Sequence, residues 1–219
     1  MLSKFIVAPL VAAVALATVD DPKVDYAKSE SAFTFNGTRW PSTARTAGTA
    51  VDRIVVHSTF VKSKKPAEWF GKDAIFAVWR AEKDSTGKPF ISVHYFIDRE
   101  GKVFQLVPEK EIANHAKGYN SRSVGVELAG IADEFAKEAK EAGASDADLA
   151  YTDAQYKALS GLLTDIKTRH SEAKAIKHSD IYEKDDKGEY KRRKSDPGSK
   201  FDEKKLSSKV DWTTSHKGE

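Results

Sequence analysis

Arg53-Ile-Val-Val-His-Ser58 is a compact, β-branched run that reads as a buried strand. Downstream of it, the segment from Pro66 to Ala81 spaces Trp69, Phe70, Ile75, Phe76 and Trp79 like the apolar face of a helix. Phe90–Asp98 and Lys102–Val107 then read as two strands. Arg99-Glu100-Gly101 joins them, and glycine can take the positive φ that a tight hairpin turn requires. Ser123-Val-Gly-Val-Glu-Leu128 is another short buried strand, with the carboxylate of Glu127 inside an otherwise apolar run. From Ile131 to Ala150 the chain is rich in Ala, Glu, Lys and Asp, a solvated helix and loop. Thr152-Asp153 caps a helix whose core face is Tyr156, Leu159, Leu162, Leu163 and Ile166 and which ends near Arg169-His170. Ala175-Ile-Lys-His178 is a last short strand before a charged segment, Tyr182 to Arg193. Mixed strands with covering helices specify an α/β domain with a central mixed β-sheet flanked by helices.

Outward from that core, residues 18–50 carry polar residues with scattered aromatics (Phe33, Phe35, Trp40) and no sustained period. They read as a leader that partly wraps the domain, with order beginning at Asp52. The domain spans 51–206, and 207–219 is a polar tail, although Phe201, Leu206, Val210 and Trp212 can dock the end of the chain as a short helix. At the other end, Lys4 precedes an apolar run from Phe5 to Ala17 in which Ala15-Leu16-Ala17 offers a small-x-small cleavage site. Residues 1–17 thus read as a signal peptide cleaved after Ala17, which places the chain in the periplasm or outside the cell. That run falls short of the ~20 residues of a membrane-spanning helix, and no later stretch is long and apolar enough to span.

The whole chain has 219 residues, enough for one domain with extensions but not for two full ones. Its 36 Lys+Arg against 33 Asp+Glu leave a net charge of +3 spread over both signs, which argues against nucleic acid as a partner. A local cluster remains at Lys191, Arg192, Arg193 and Lys194. The absence of cysteine excludes disulfides, thiolate zinc sites, iron–sulfur clusters and a cysteine nucleophile. Any metal must be held by His, Asp or Glu.

His57 ends one buried strand, His178 ends another, and Asp196 sits in Ser195-Asp-Pro-Gly198, where a Pro-Gly turn fixes how the carboxylate is presented. Two histidines and an aspartate are hard enough donors for zinc when no thiolate exists. Taken singly, a strand histidine is more often a hydrogen-bonded core residue, and Asp-Pro-Gly is more often only a turn.

Together the motifs weigh more. Val55-Val-His57-Ser-Thr59, Ser123-Val-Gly-Val-Glu127-Leu, Lys177-His178-Ser-Asp-Ile181 and Lys194-Ser-Asp196-Pro-Gly occur in that order. Val93-His-Tyr-Phe-Ile-Asp98, Gly101-Lys-Val-Phe-Gln-Leu106, Asn114-His115-Ala116 with Asn120, and Tyr151-Thr-Asp-Ala-Gln-Tyr-Lys-Ala-Leu159 lie between. The set resembles the type 2 N-acetylmuramoyl-L-alanine amidases, a zinc amidase family that shares its fold with peptidoglycan recognition proteins, over roughly residues 50–206. The resemblance implies one zinc per chain bound by His57, His178 and Asp196. It implies that Glu127 acts as base and acid on the attacking water, and that Lys194 meets the developing negative charge. His94, His115 and Asn120 match positions that line the family's substrate groove. The implied substrate is peptidoglycan or its muropeptides, cut between N-acetylmuramic acid and L-alanine by a monomer. A non-catalytic peptidoglycan-binding module and a generic α/β interaction domain are the competing readings.

Departures from the family pattern stand out. Val93 occupies the place where some relatives have a tyrosine, so Glu127 must suffice as the acid and base. Asn114 stands where tryptophan is frequent. The stretch between His178 and Asp196 is long and charged, either a flap over the metal or an inert surface loop.

Overall fold

The computed structural model describes residues 23–63, 68–184, 187–192, 194–213 and 216–217; the expected signal peptide lies outside them. Six strands form the central sheet: β1 (Glu30–Ser31), β2 (Arg53–Thr59), β3 (Tyr95–Ile97), β4 (Val103–Gln105), β5 (Ser123–Ala129) and β6 (Lys174–Lys177). Their order across the sheet is β1-β4-β3-β5-β2-β6. β3 and β4 pair antiparallel, and every other neighbouring pair is parallel. The sheet is mixed, and the fold class expected from the sequence is the one observed.

Helices α1 (Lys72–Ala81) and α4 (Asp153–Arg169) cover opposite faces, with α2 (Asp133–Glu141) and α3 (Asp146–Leu149) following β5. Alternation along β2 and β5 divides the core. Ile54, Val56, Val124, Val126 and Leu128 pack with Leu159, Leu162, Leu163 and Ile166 of α4. Phe96, Phe104 and Ala129 pack with Ile75, Phe76 and Trp79 of α1. Both faces are covered, so β2 reads as a continuous apolar run rather than an alternating one. A capping box starts α4: the Thr152 hydroxyl accepts from Gln155 N–H while Gln155 Oε1 accepts from Thr152 N–H. The Gln155 amide also donates to the Ala129 carbonyl at 3.0 Å, tying the helix start to the end of β5.

The β3–β4 hairpin turns where the sequence puts it, with Gly101 at φ 79°. Both strands are shorter than their apolar runs. Before Tyr95, His94 N–H still donates to the Gly125 carbonyl of β5, whereas Ser92 turns away, its N–H donating to the Asn114 carbonyl and its Oγ to the Pro41 carbonyl. The first helix is described from Lys72, with Trp69 buried ahead of it beside Phe60; Pro66, where the apolar spacing starts, lies outside the described residues.

Order does not begin at Asp52. The leader supplies β1 at the sheet edge, a two-residue hairpin (Thr34–Phe35 with Thr38–Arg39), and Ser42–Ala44 paired antiparallel with Glu111–Ala113. Phe33 and Trp40 are buried, and Trp40 meets Phe76 and Trp79 edge-on. At the other end, Glu203–Lys205 form one 3₁₀ turn, and the chain then runs extended along β6, where Ala175 N–H donates to the Asp211 carbonyl and Thr213 N–H to the Ala175 carbonyl. The charged segment folds as a hairpin, Ile181–Lys184 antiparallel to Tyr190–Arg192.

Candidate active site

In a parallel sheet the carboxyl ends of the strands share one edge, where loops diverge and leave a crevice. His57 lies near the carboxyl end of β2, Glu127 near that of β5, and His178 immediately follows β6. His57 and Glu127 are register partners. The Asp196 loop closes the group: the Asp196 carbonyl accepts from Ser179 N–H at 2.7 Å, and the Pro197 carbonyl accepts from the buried Tyr151 hydroxyl at 2.7 Å. Gly198 and Ser199 pack on the Asp133 carboxylate, which accepts from Ser199 N–H.

The donor atoms converge. Asp196 Oδ2 lies 3.1 Å from His57 Nδ1, and Asp196 Oδ1 lies 3.1 Å from His178 Nδ1. The His57 and His178 rings are 4.4 Å apart between centroids. The three donors lie within 4.8 Å of one another, and tetrahedral zinc with ~2.0 Å bonds separates its ligands by about 3.3 Å. Burial, reinforced by the charge of His178 and opposed by Asp196, pushes His57 down to about 4, so it is a neutral imidazole with a lone pair at neutral pH. Burial acts to raise Asp196, but the His178 and His57 imidazoles in contact with it overcome that and hold the carboxyl well below its ordinary value. Two imidazoles and one carboxylate are the kind of donor set that holds a catalytic zinc, so the residues fit that metal.

Glu127 stands beside this cluster with Oε2 buried and unpartnered. Burial, reinforced by the Asp196 charge and opposed by Lys194, raises its carboxyl well above the usual range. An orphaned buried carboxylate oxygen costs stability, and a raised carboxyl beside three donors in a cleft makes Glu127 a candidate for proton transfer.

A cleft of about 890 Å³ opens over the cluster, with His57, Glu127, His178, Lys194 and Asp196 among its lining residues. The large apolar side chains that remain exposed among the described residues, Val78, Phe90 and Phe135, all line it. His115 and Asn120 line it too, with Asn120 Oδ1 accepting from the backbone N–H of His115 and of Ala116. Among the described residues of the 181–192 hairpin none lines the cleft.

His94 departs from expectation. It is fully buried and absent from the cleft lining. Gly125 N–H donates to its Nδ1 at 3.0 Å, and its Nε2 lies 3.0 Å from the Glu111 carbonyl. Both nitrogens are engaged in holding the loop behind β5, which leaves none for substrate. Sequence reading missed Arg45, whose guanidinium donates to the Glu109, Ser121 and Ser123 carbonyls and so pins the floor of that loop. It also missed Tyr151 as the brace of the Asp196 loop; its only signal was a tyrosine just ahead of a capping box.

Residues 47–199 match the family model described as N-acetylmuramoyl-L-alanine amidase. The endolysin of Klebsiella phage KP32 is 36% identical over 91 residues, 42% of this chain and 54% of that protein, so the chain spans about half of that relative's length. The endolysin of Escherichia phage T7 is 30% identical over 132 residues, 60% of this chain and 77% of that protein. Among solved structures, the selenomethionine derivative of AmpD superposes with a TM-score of 0.60 at 25% identity, covering 86% of this chain and 98% of that one. Bumblebee PGRP-SA shares the fold with a TM-score of 0.55 at 16% identity, covering 83% and 94%.

Proposed function

The chain belongs to the N-acetylmuramoyl-L-alanine amidase family, and on that premise we propose that it hydrolyses the amide between N-acetylmuramic acid and L-alanine in peptidoglycan, using one zinc ion held by His57, His178 and Asp196. The observation that carries this reading is the convergence of those three donors beside the unpartnered Glu127 carboxylate on the floor of the cleft. Zinc bound there supplies an acidified water and polarises the scissile carbonyl.

The chain's own groups do the rest. Glu127 takes the proton of the attacking water and returns it to the nitrogen of L-alanine as the C–N bond breaks. A carboxyl raised by burial suits both halves of that exchange. Lys194, exposed at the cleft, presents its ammonium to the tetrahedral oxyanion. Asn120 and the apolar wall of Val78, Phe90 and Phe135 hold muramic acid or the stem peptide. His94 has no part in binding. The catalytic unit is residues 51–206, preceded by a leader and, at 1–17, by a signal peptide that exports a monomer to the wall. No helix among the described residues is long and apolar enough to cross a membrane.

A non-catalytic binding module would need neither the three donors nor the orphaned carboxylate. The test is metal content and metal dependence: protein purified without added metal should carry zinc at one per chain, and a chelator should abolish release of peptide from peptidoglycan until zinc is restored. Folded, metal-free protein that zinc does not activate would contradict the reading.

A further inference from the structure

We propose that His115 is a positioning residue that holds the imidazole of His57 in its metal-binding tautomer, and is not a contact for substrate. The inference rests on His57 being a zinc ligand, as read above. His57 turns Nδ1 toward the Asp196 carboxylate, so Nε2 is the far nitrogen, and it lies 3.0 Å from His115 Nδ1. A neutral imidazole that gives its Nδ1 lone pair to a cation carries its proton on Nε2. That proton then donates to His115 Nδ1, which places the His115 proton on Nε2.

The far end of the chain fixes this direction. His115 Nε2 lies 3.2 Å from Ser123 Oγ, and Ser123 Oγ lies 2.7 Å from the Tyr119 carbonyl. A hydroxyl that close to a carbonyl must point its hydrogen at it, because the carbonyl has none to give. Ser123 Oγ is therefore left to accept from His115 Nε2–H, His115 Nδ1 accepts from His57 Nε2–H, and His57 Nδ1 faces the cluster with its lone pair. Partners of this kind behind a metal-binding histidine set its tautomer and orientation.

The seat of the ring is a second, independent observation. Gly125 lies in the middle of β5, where glycine costs roughly 0.5–1 kcal/mol relative to alanine. A Cβ there would stand 2.6 Å from His115 Cγ and 2.7 Å from its Cδ2 and Nδ1. Glycine inside a strand marks a close approach, and here the approaching group is the His115 imidazole. Asn120 Oδ1 fixes the backbone N–H of the same residue at 3.0 Å. Both ring nitrogens are engaged inside the protein, so only a carbon edge is left for the cleft.

The experiment measures zinc affinity of the full chain by competition with a chromophoric chelator, beside kcat and KM, for wild type, His115→Phe and His115→Asn. Phenylalanine fills the seat without an acceptor; asparagine keeps an acceptor near the place of Nδ1. Zinc binding should weaken ten- to hundred-fold in His115→Phe, and His115→Asn should restore most of it. Unchanged zinc affinity in a folded His115→Phe, with the loss appearing in KM, overturns the proposal and makes His115 a substrate contact. Should His115→Phe not fold, Gly125→Ala displaces the ring instead, and its zinc affinity must fall in the same way or the proposal fails. Wild-type protein that binds no zinc would overturn the metal reading itself, an outcome distinct from either variant result.

Discussion

His57 and Glu127 sit side by side in the register of parallel strands β2 and β5, one strand spacing of ~4.8 Å apart. Residues paired in this way project to the same face, so the sheet itself brings the His57 imidazole and the Glu127 carboxylate together. Their roles should separate cleanly. His57→Ala and Asp196→Asn should each lose zinc and turnover, whereas Glu127→Gln should keep zinc and lose about 10²- to 10⁴-fold in kcat. Metal analysis beside kinetics checks this; zinc loss in Glu127→Gln would refute the division.

Lys194 differs from Glu127 in being exposed at the cleft. If its ammonium meets the oxyanion, Lys194→Ala should lower kcat by about 10²- to 10³-fold with zinc content unchanged. A change confined to KM would show instead that the lysine only holds substrate.

Away from the cleft, Glu109 is buried among Tyr95, Arg169 and His170, accepting from the Tyr95 hydroxyl at 2.7 Å and from Arg169 Nη2 at 2.7 Å. Burial acts to raise its carboxyl, but hydrogen bonds from Arg169, His170 and Tyr95 win and bring it down to about 2 from 4.5. A depressed carboxyl contributes stability that is complete above about 4.5 and is lost as pH falls toward 2, a contribution on the order of 3 kcal/mol. In urea unfolding, the stability gap between wild type and Glu109→Gln should therefore shrink from pH 6 to pH 3. A constant gap would mean that the charge of Glu109 is not what stabilises the fold.

His94 titrates with the same sign at higher pH. Burial brings it down to about 4 from 6.5, against the opposing hydrogen bond to the Glu111 carbonyl. The unfolded chain takes up the proton first, so the contribution of neutral His94 is complete above about 6.5 and declines as pH falls toward 4. His94→Asn, which keeps an acceptor for Gly125 N–H, should lose less stability than wild type between pH 7 and pH 5, while KM should not change. A KM effect would return His94 to the substrate groove.

The elements most legible in the sequence are those whose own residues decide them. β2 and β5 announce themselves by β-branched runs, α4 by its apolar face and the Thr152–Gln155 cap, and the β3–β4 turn by Gly101. Asp196 stood out through the Pro-Gly turn that follows it, despite the long stretch between it and His178. What stayed hidden depends on distant partners. His94 looks the same in sequence whether it faces a groove or the core, and the groups that settle the matter are Gly125 N–H and the Glu111 carbonyl. The leader's strands are two or three residues long, too short to show a period, and they are held by Phe35 and Trp40 packing on Phe76, far along the chain. Gly125 was visible inside its strand, but only the His115 ring lying on it explains why it is there.

The most direct test of the central claim is mass spectrometry of the soluble products released from purified peptidoglycan by the zinc-loaded protein, residues 18–219, with a chelator control. The account predicts stem peptides that begin with a free L-alanine amino group, glycan chains that keep intact muramic acid, and neither product when zinc is removed. Peptides cut elsewhere, or binding to the wall with no such products, would contradict it.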